Sequence, residues 1–293
     1  MKKALIVLAI VFLFASVTYA WMTGKAGHEK YLYPVVRIEA GQGIGSGTII
    51  YSELNKEGTY STYVLTNHHV IAEAIEITDE WNTDSGKNEK VERRRHVFVE
   101  MFKYRNMSES IGALKVKADI VIYSDYKKSE DMALLKLRTE DKAAFIVKLL
   151  PKDKVDSYHD FDPVVAVGCS RGFNPMPSEG LISFRKLSYK TFDFDMATAQ
   201  IAAGNSGGAM FLAETAELIG IPSMVVLSGN FYGGAIEHMG IFIPIKRVYA
   251  FLEREDYSFL VDPTVTEEEG LAAREKRLCD VKDKDKDKDK GKE

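Results

Sequence analysis

Between Tyr31 and about Ile245 the chain alternates short runs of β-branched and aromatic residues with clusters of Gly, Asn, Asp, Ser and Pro. Runs this short, bounded by turn formers, predict strands. They fall at Gly47–Tyr51, Thr62–Leu65, His96–Phe102, Ile120–Tyr123, Ala133–Leu137, Val164–Val167, Leu181–Phe184, Ser223–Leu227 and Gly240–Ile245. Many short strands at this spacing predict an all-β barrel or sandwich. Two segments break the pattern and read as helical: Ile71–Ile77, and Lys246–Glu255, where Val248, Phe251 and Leu252 share one face after Pro244. The body is therefore expected to span 21–256.

The ends read differently. Lys2 and Lys3 precede an apolar block from Ala4 to Ala15, and Thr18-Tyr19-Ala20 closes the segment with small residues. Residues 1–20 thus have the form of an export signal, or of an N-terminal membrane anchor if uncleaved; membrane attachment is expected only through this segment. Residues 257–293 read as a charged helical or solvated tail. Thr264 to Leu278 can form a helix with Thr266 as its cap, Glu267 to Glu269 in the first turn and basic residues near the end; Gly270 weakens it, and a charged spacer is the alternative. Asp280 to Glu293 alternates Lys with Asp, carries no net charge and offers almost nothing to bury.

Composition narrows the class. The chain has 293 residues, 45% of them hydrophobic, enough for a substantial core. Its net charge of −4 provides no broad basic field, which argues against nucleic acid as a partner. Only Cys169 and Cys279 are present, too few for a disulfide scaffold and without zinc-ligand spacing. Two free thiols are expected, and no metal or organic cofactor.

The strongest chemical signal is Gly204-Asn205-Ser206-Gly207-Gly208. Glycines around a serine leave room for a substrate carbonyl, and the backbone N–H groups of Gly204, Asn205 and Ser206 are candidates for an oxyanion hole. A tight glycine turn would look the same. A serine nucleophile needs a base, and six histidines are available: His28, His68, His69, His96, His159 and His238. The pair His68-His69 stands where an apolar strand ends and a short helix begins. The base needs a carboxylate to fix its tautomer. Asp131 opens an apolar strand, with Asp119, Asp125 and Glu130 as competitors.

These signals occur in the order His, Asp, Ser, and in that order the chain resembles the trypsin-like (chymotrypsin-fold) serine proteases, in detail the bacterial HtrA/DegP-like branch. The resemblance rests on Gly43–Ile50, Val64–Ile71, Asp131–Leu137, Gly180–Ser183, Gly204–Ala209 and Gly240–Pro244, and covers roughly residues 32–250. It implies two six-stranded β-barrels with the site between them; the C-terminal helix and the charged tail lie outside the resemblance. Carried over residue by residue, it selects His69 over His68 as the base, Asp131 as its orienting carboxylate and Ser206 as the nucleophile. His68 is then expected to pack or to face solvent. The implied activity is that of an exported serine endopeptidase acting on protein or peptide substrates. The alternative is a catalytically silent member of the fold used as a binding scaffold.

Departures from the pattern carry information. Asn205 stands before the nucleophile where the digestive enzymes place an aspartate that pairs with a new amino terminus, so activation by such a cut is not expected. Gln200 stands where selectivity for Lys or Arg would place an acid. A small or medium aliphatic P1 residue is expected instead, with Gln200, Ile201, Ile221, Pro222, Ser223 and Ile241 around the pocket. About 40 residues follow the match, too few for the PDZ module of HtrA-like enzymes. The segment Asp79 to Gly112 is long for the family, and Arg93-Arg94-Arg95 reads as the solvated start of a strand.

Overall fold

The computed structural model describes residues 24–83, 86–125, 130–227 and 235–290; residues 1–20, read from the sequence as an export signal or anchor, lie outside them. In chain order its strands are β1 (Val35–Ala40), β2 (Gly43–Leu54), β3 (Tyr60–Thr66), β4 (Ile75–Asn82), β5 (Lys87–Arg94), β6 (Val97–Arg105), β7 (Glu109–Tyr123) and β8 (Ala133–Leu137). They are followed by β9 (Lys148–Leu149), β10 (Pro163–Gly168), β11 (Met176–Tyr189), β12 (Phe192–Ala197), β13 (Ala209–Leu212), β14 (Glu217–Leu227) and β15 (Ala235–Pro244). The first barrel closes in the order β1-β2-β3-β8-β7-β6. The second runs β13-β10-β11-β12-β15-β14 and closes through a β13–β14 pairing, with β9 added in parallel beside β14. The expected pair of six-stranded barrels is therefore present.

The period of two along a strand explains how the barrels meet. Val64 on β3 and Ala133, Leu135 and Leu137 on β8 point into the first barrel with Val36, Ile38, Val97 and Val99. Their neighbours Tyr63, Leu65 and Leu134 point the other way, into a second core shared with Val165, Phe194, Phe211, Ile221 and Phe242. Strands β3 and β8 are thus apolar on both faces because one face fills a barrel and the other fills the seam. Both strands end at that seam, next to His69 and Asp131.

Three expectations need correction. The segment 71–77 is not one helix: a helical turn covers His68–Ile71, a 3-10 turn covers Ala72–Ala74, and the alternation Ile75-Glu76-Ile77-Thr78 starts β4. Strands β4 and β5 form a separate antiparallel two-stranded hairpin, across which Arg93 pairs with Glu80. The arginine run is also not simply solvated. Arg94 donates to the carbonyls of Val121 (2.7 Å) and Ile120 (3.0 Å), and Arg95 to that of Glu73.

The packed body also continues past residue 256. After the helix Ile245–Arg254, whose Val248, Phe251 and Leu252 are fully buried, Tyr257, Phe259 and Leu260 are buried as well. Thr266 and Glu269 then form a reciprocal capping box that starts the helix Glu267–Lys290. That helix is anchored to the first barrel by Glu267, which accepts from Tyr63 and Lys136, and to the end of the preceding helix by Arg274 on Glu255 and Arg277 on Asp256. Its backbone runs on through the Lys-Asp repeat that the sequence reads as a tail.

Candidate active site

Strand β3 delivers Asn67 and the turn His68–Ile71 to the seam, and Asp131 lies two residues before β8. Because β3 and β8 pair, with Thr66 opposite Ala133, their ends place His69 beside Asp131. The Asp131 carboxylate grips His69 twice: Oδ1 accepts the backbone N–H at 3.0 Å, and Oδ2 lies 2.8 Å from Nδ1. With an ionised carboxylate there, Nδ1 carries the proton and Nε2 is left as the basic nitrogen. Asp131 itself is buried and has a left-handed backbone, φ 50°. Its conformation is held from several sides. Asn67 Nδ2 donates to its carbonyl (2.8 Å), and the side chains of Arg247 and Arg254 hold the preceding Glu130.

Ser206 approaches from the other barrel, in the turn between β12 and β13. Its carbonyl accepts the N–H of Ser46 on β2 at 2.8 Å, which ties the turn to the first barrel. Gly207, at φ 83°, lies so close to β2 and β3 that a Cβ there would come within 2.2 Å of both Ser46 O and Thr66 Oγ1. Only glycine permits that approach. Ser223 completes the cluster. Its hydroxyl donates to Asp131 Oδ2 at 2.7 Å, while its carbonyl accepts from Ser206 Oγ at 3.5 Å. Among the described residues no hydrogen bond joins Ser206 Oγ to His69 in this conformation, so the serine rests on Ser223. A hydroxyl has a soft rotor, and such contacts tighten when substrate binds.

The carbonyls just before the serine are held by donors from neighbouring segments. The Ala203 carbonyl accepts the N–H of Arg171 at 2.6 Å and the Gly204 carbonyl accepts Ser46 Oγ at 2.6 Å, with Gly204 at φ 100°. Both carbonyls are thereby turned to protein donors. The N–H groups of Gly204 and Ser206 have no acceptor among the described residues. Asn205 must be removed from the set of donors: its N–H is spent on the Ala202 carbonyl at 3.0 Å, and its buried side chain accepts from Ser170 Oγ.

The residues expected around the pocket separate. Ile221 is 0% exposed and belongs to the core, so it offers no surface to a substrate. Pro222 is buried too, and its carbonyl accepts the Gly207 N–H. Ser223 serves Asp131 rather than a pocket wall. Gln200 is exposed, and its carbonyl accepts from Ser178. Ile201 lies against Gly240, where a Cβ would come within 2.3 Å of its Cδ1. Ile241, with Met224, Leu187, Ser188, Tyr189 and Phe194, lines a cavity of about 260 Å³. Cys169 and Cys279 are free thiols, and burial pushes the Cys169 thiol up to about 12.

Two residues were not legible as site components: Ser223 in its role on Asp131, and His68. The second packs inside the protein, one of the two placements expected for it, and its burial lowers its pKa. No local pattern could have revealed the Ser223 contact, which joins positions 92 residues apart.

Residues 45–221 match the family model described as a trypsin-like peptidase domain. Over 196 residues the chain is 29% identical to a probable periplasmic serine endoprotease, DegP-like, of Hahella chejuensis, which covers 66% of this chain. The chain spans only 32% of that protein's length. Among solved structures it resembles an HtrA-type protease with a tripeptide (20% identity, TM-score 0.54, covering 80% of this chain and 64% of the other). It also resembles Deg5 (21%, 0.51, 75% and 88%) and a serine endoprotease from Yersinia pestis (20%, 0.51, 79% and 66%), likenesses that speak to the fold. With a matched segment that spans more than half of the chain and contains His69, Asp131 and Ser206, this chain belongs to the trypsin-like peptidase domain family.

Proposed function

We propose that the protein is an exported serine endopeptidase that cleaves protein or peptide substrates through Ser206, His69 and Asp131. The observation that carries this reading is the double grip of Asp131 on His69, which fixes the imidazole with Nε2 as the base at the seam that Ser206 enters from the other side. In the proposed cycle Ser206 Oγ leaves the Ser223 carbonyl and attacks the scissile carbonyl carbon while His69 Nε2 takes its proton. The N–H groups of Gly204 and Ser206 receive the oxyanion. His69 then protonates the leaving amine, and water repeats the sequence on the acyl-enzyme. Asp131 stays ionised throughout and stabilises the imidazolium. Neutral tautomer control of this kind is what a buried, fully hydrogen-bonded carboxylate supplies.

A small or medium aliphatic P1 residue is part of this reading, supported by the residues around the expected pocket. Gln200 brings no charge for a basic P1 side chain, Ile201 fills the space over Gly240, and the cavity beside Met224 and Ile241 is apolar. No cut near residue 34 is needed for activity, because Asn205 is engaged by Ser170 rather than awaiting a new amino terminus. The form of residues 1–20 and the periplasmic description of the Hahella relative support export, with the protease body beginning after them.

The test is labelling with a fluorophosphonate probe, beside Ser206→Ala and His69→Ala, followed by a peptide series with Ala, Val, Leu, Lys and Arg at P1. Labelling that disappears in both variants, with Ala, Val or Leu preferred, is the expected result. A folded parent that takes no label would overturn the enzymatic reading in favour of a silent scaffold.

A further inference from the structure

His68 is the neighbour of the proposed base, yet its ring turns the other way, into the protein, and is only 8% exposed. Its Nδ1 donates to the Ser124 carbonyl at 2.5 Å, and its ring lies against Tyr123, centroids 4.5 Å apart. Ser124 and Met132 exchange hydrogen bonds: the Ser124 N–H donates to the Met132 carbonyl and the Met132 N–H to Ser124 Oγ, both at 2.8 Å. The residue just before Met132 is Asp131, with its left-handed backbone. On the far side, Tyr123 donates to Glu92 at 2.6 Å and lies under the Arg94 guanidinium, 5.0 Å from the ring centroid. The contacts therefore run without a gap from the base of the β4–β5 hairpin through Tyr123 and His68 to Ser124, Met132 and Asp131.

We propose that His68 is a positioning residue for the reaction: through Ser124 it holds the Asp131 backbone so that the carboxylate meets both His69 donors. This rests on the reading of His69 and Asp131 as base and orienting carboxylate. The physical reason is geometric. A short two-point grip tolerates little displacement, and a left-handed aspartate has no local preference that would restore it once Ser124 shifts. Because His68 and His69 are adjacent on one turn, a single backbone element sets both the base and the splint for its partner.

A purely structural role for His68 predicts different outcomes, and substitutions separate the two. In His68→Asn the Nδ2 stands the same number of bonds from Cβ as the histidine Nδ1 and can donate to Ser124. In His68→Leu the space is filled but the donor is gone. Active enzyme is counted by fluorophosphonate titration, so losses in folding do not enter kcat. We expect His68→Leu to lower kcat by about tenfold with KM within about twofold, and His68→Asn to stay within about threefold of the parent. Ser124→Ala keeps the carbonyl that His68 holds but loses the Oγ that accepts the Met132 N–H, so it should resemble His68→Leu, and the double variant should fall no further than the worse single one, since the two cut successive links of one chain. The downfield Nδ1–H proton resonance of His69 gives a second readout that needs no turnover. It should persist in His68→Asn and shift or broaden in His68→Leu. Retained kcat and an unmoved resonance in His68→Leu, or losses that multiply in the double variant, would overturn the proposal. Labelling of the parent is scored first, so a failure of the functional reading registers there and not in the His68 series.

Discussion

The start of the C-terminal helix makes a sharp prediction because one buried carboxylate joins it to the first barrel. Glu267, its side chain 10% exposed, accepts from Tyr63 at 2.7 Å and from Lys136 at 2.8 Å. Tyr63 is 1% exposed, and its ring packs edge-on against Tyr51, Tyr257 and Phe259. Tyr63→Phe keeps those ring contacts and deletes one donor to a charged acceptor, an interaction of about 1.5–3 kcal/mol when buried. Lys136 remains on Glu267 and is partly exposed, which places the expected loss toward the lower end, about 1.5–2 kcal/mol. For a folded body of this size each kcal/mol moves Tm by about 2–4 °C, so Tyr63→Phe should melt about 3–8 °C below the parent. The pH dependence has a defined sign. Its hydrogen bonds to Lys136 and Tyr63 hold the Glu267 carboxyl below its ordinary value in spite of burial, so the stability it contributes is present above about pH 4.5 and is lost as pH falls through its lowered folded value. The gap between parent and Tyr63→Phe should narrow accordingly in acid. Calorimetric melts from pH 7 down to pH 3, with Glu267→Gln as the partner in a double-mutant cycle, test this. A Tyr63→Phe protein that melts within 1 °C of the parent at pH 7 would show that the helix is an appendage and that the reasoning is wrong.

Other consequences can be measured directly. Cys169, buried and with its thiol pushed up to about 12, should resist iodoacetamide while exposed Cys279 reacts, so mass spectrometry should find one adduct per native chain and two in denaturant. Burial lowers the His68 pKa below its unfolded value, against the opposing pull of its hydrogen bond to the Ser124 carbonyl and of Asp131 and Asp125, and with His69 adding to the lowering; stability linked to it is complete above about pH 6.5 and declines as pH falls, and His68→Asn should lack that part of the pH dependence in urea titrations. Arg254, about half exposed, pairs with Glu130 at the surface, and Arg254→Ala should cost under about 1 kcal/mol in the same assay. Arg247 lies over Phe192 and Phe194 and donates to the carbonyls of Glu130 and Asp193, so Arg247→Ala should cost about 2–3 kcal/mol and fail the test if it matches Arg254→Ala.

What the chain discloses in sequence and what it withholds differ by the kind of interaction involved. Strands such as β8 announce themselves because burial on both faces demands an unbroken apolar run, Ala133-Leu134-Leu135. The Gly204–Gly208 turn is equally readable, since close backbone approach leaves glycine as the only residue that fits. The β4–β5 hairpin is invisible by the same logic. Most of its side chains are exposed, its strands are rich in Glu, Asp, Lys and Arg with pairs such as Glu76–Arg93 and Asp79–Lys90, and a run of mixed charges reads as a solvated stretch whether or not the backbone forms a ladder. Yet Glu92 and Arg94 at its base are the residues that bracket Tyr123 and so reach His68. Ser223 shows the same limit within the site. As a sequence signal it is one serine opening an apolar strand, which suits a pocket wall as well as anything else; its hydroxyl acquires its role only when the second barrel folds against the first and brings it 2.7 Å from Asp131. Residues whose environment is built by their own neighbours in sequence are legible, and those whose environment is built by distant segments are not. Ser223 takes its role from Asp131, 92 residues away in the other barrel, and His68 takes its place from Ser124, 56 residues on in its own barrel, so the least readable polar residues of this chain stand close to its most readable ones.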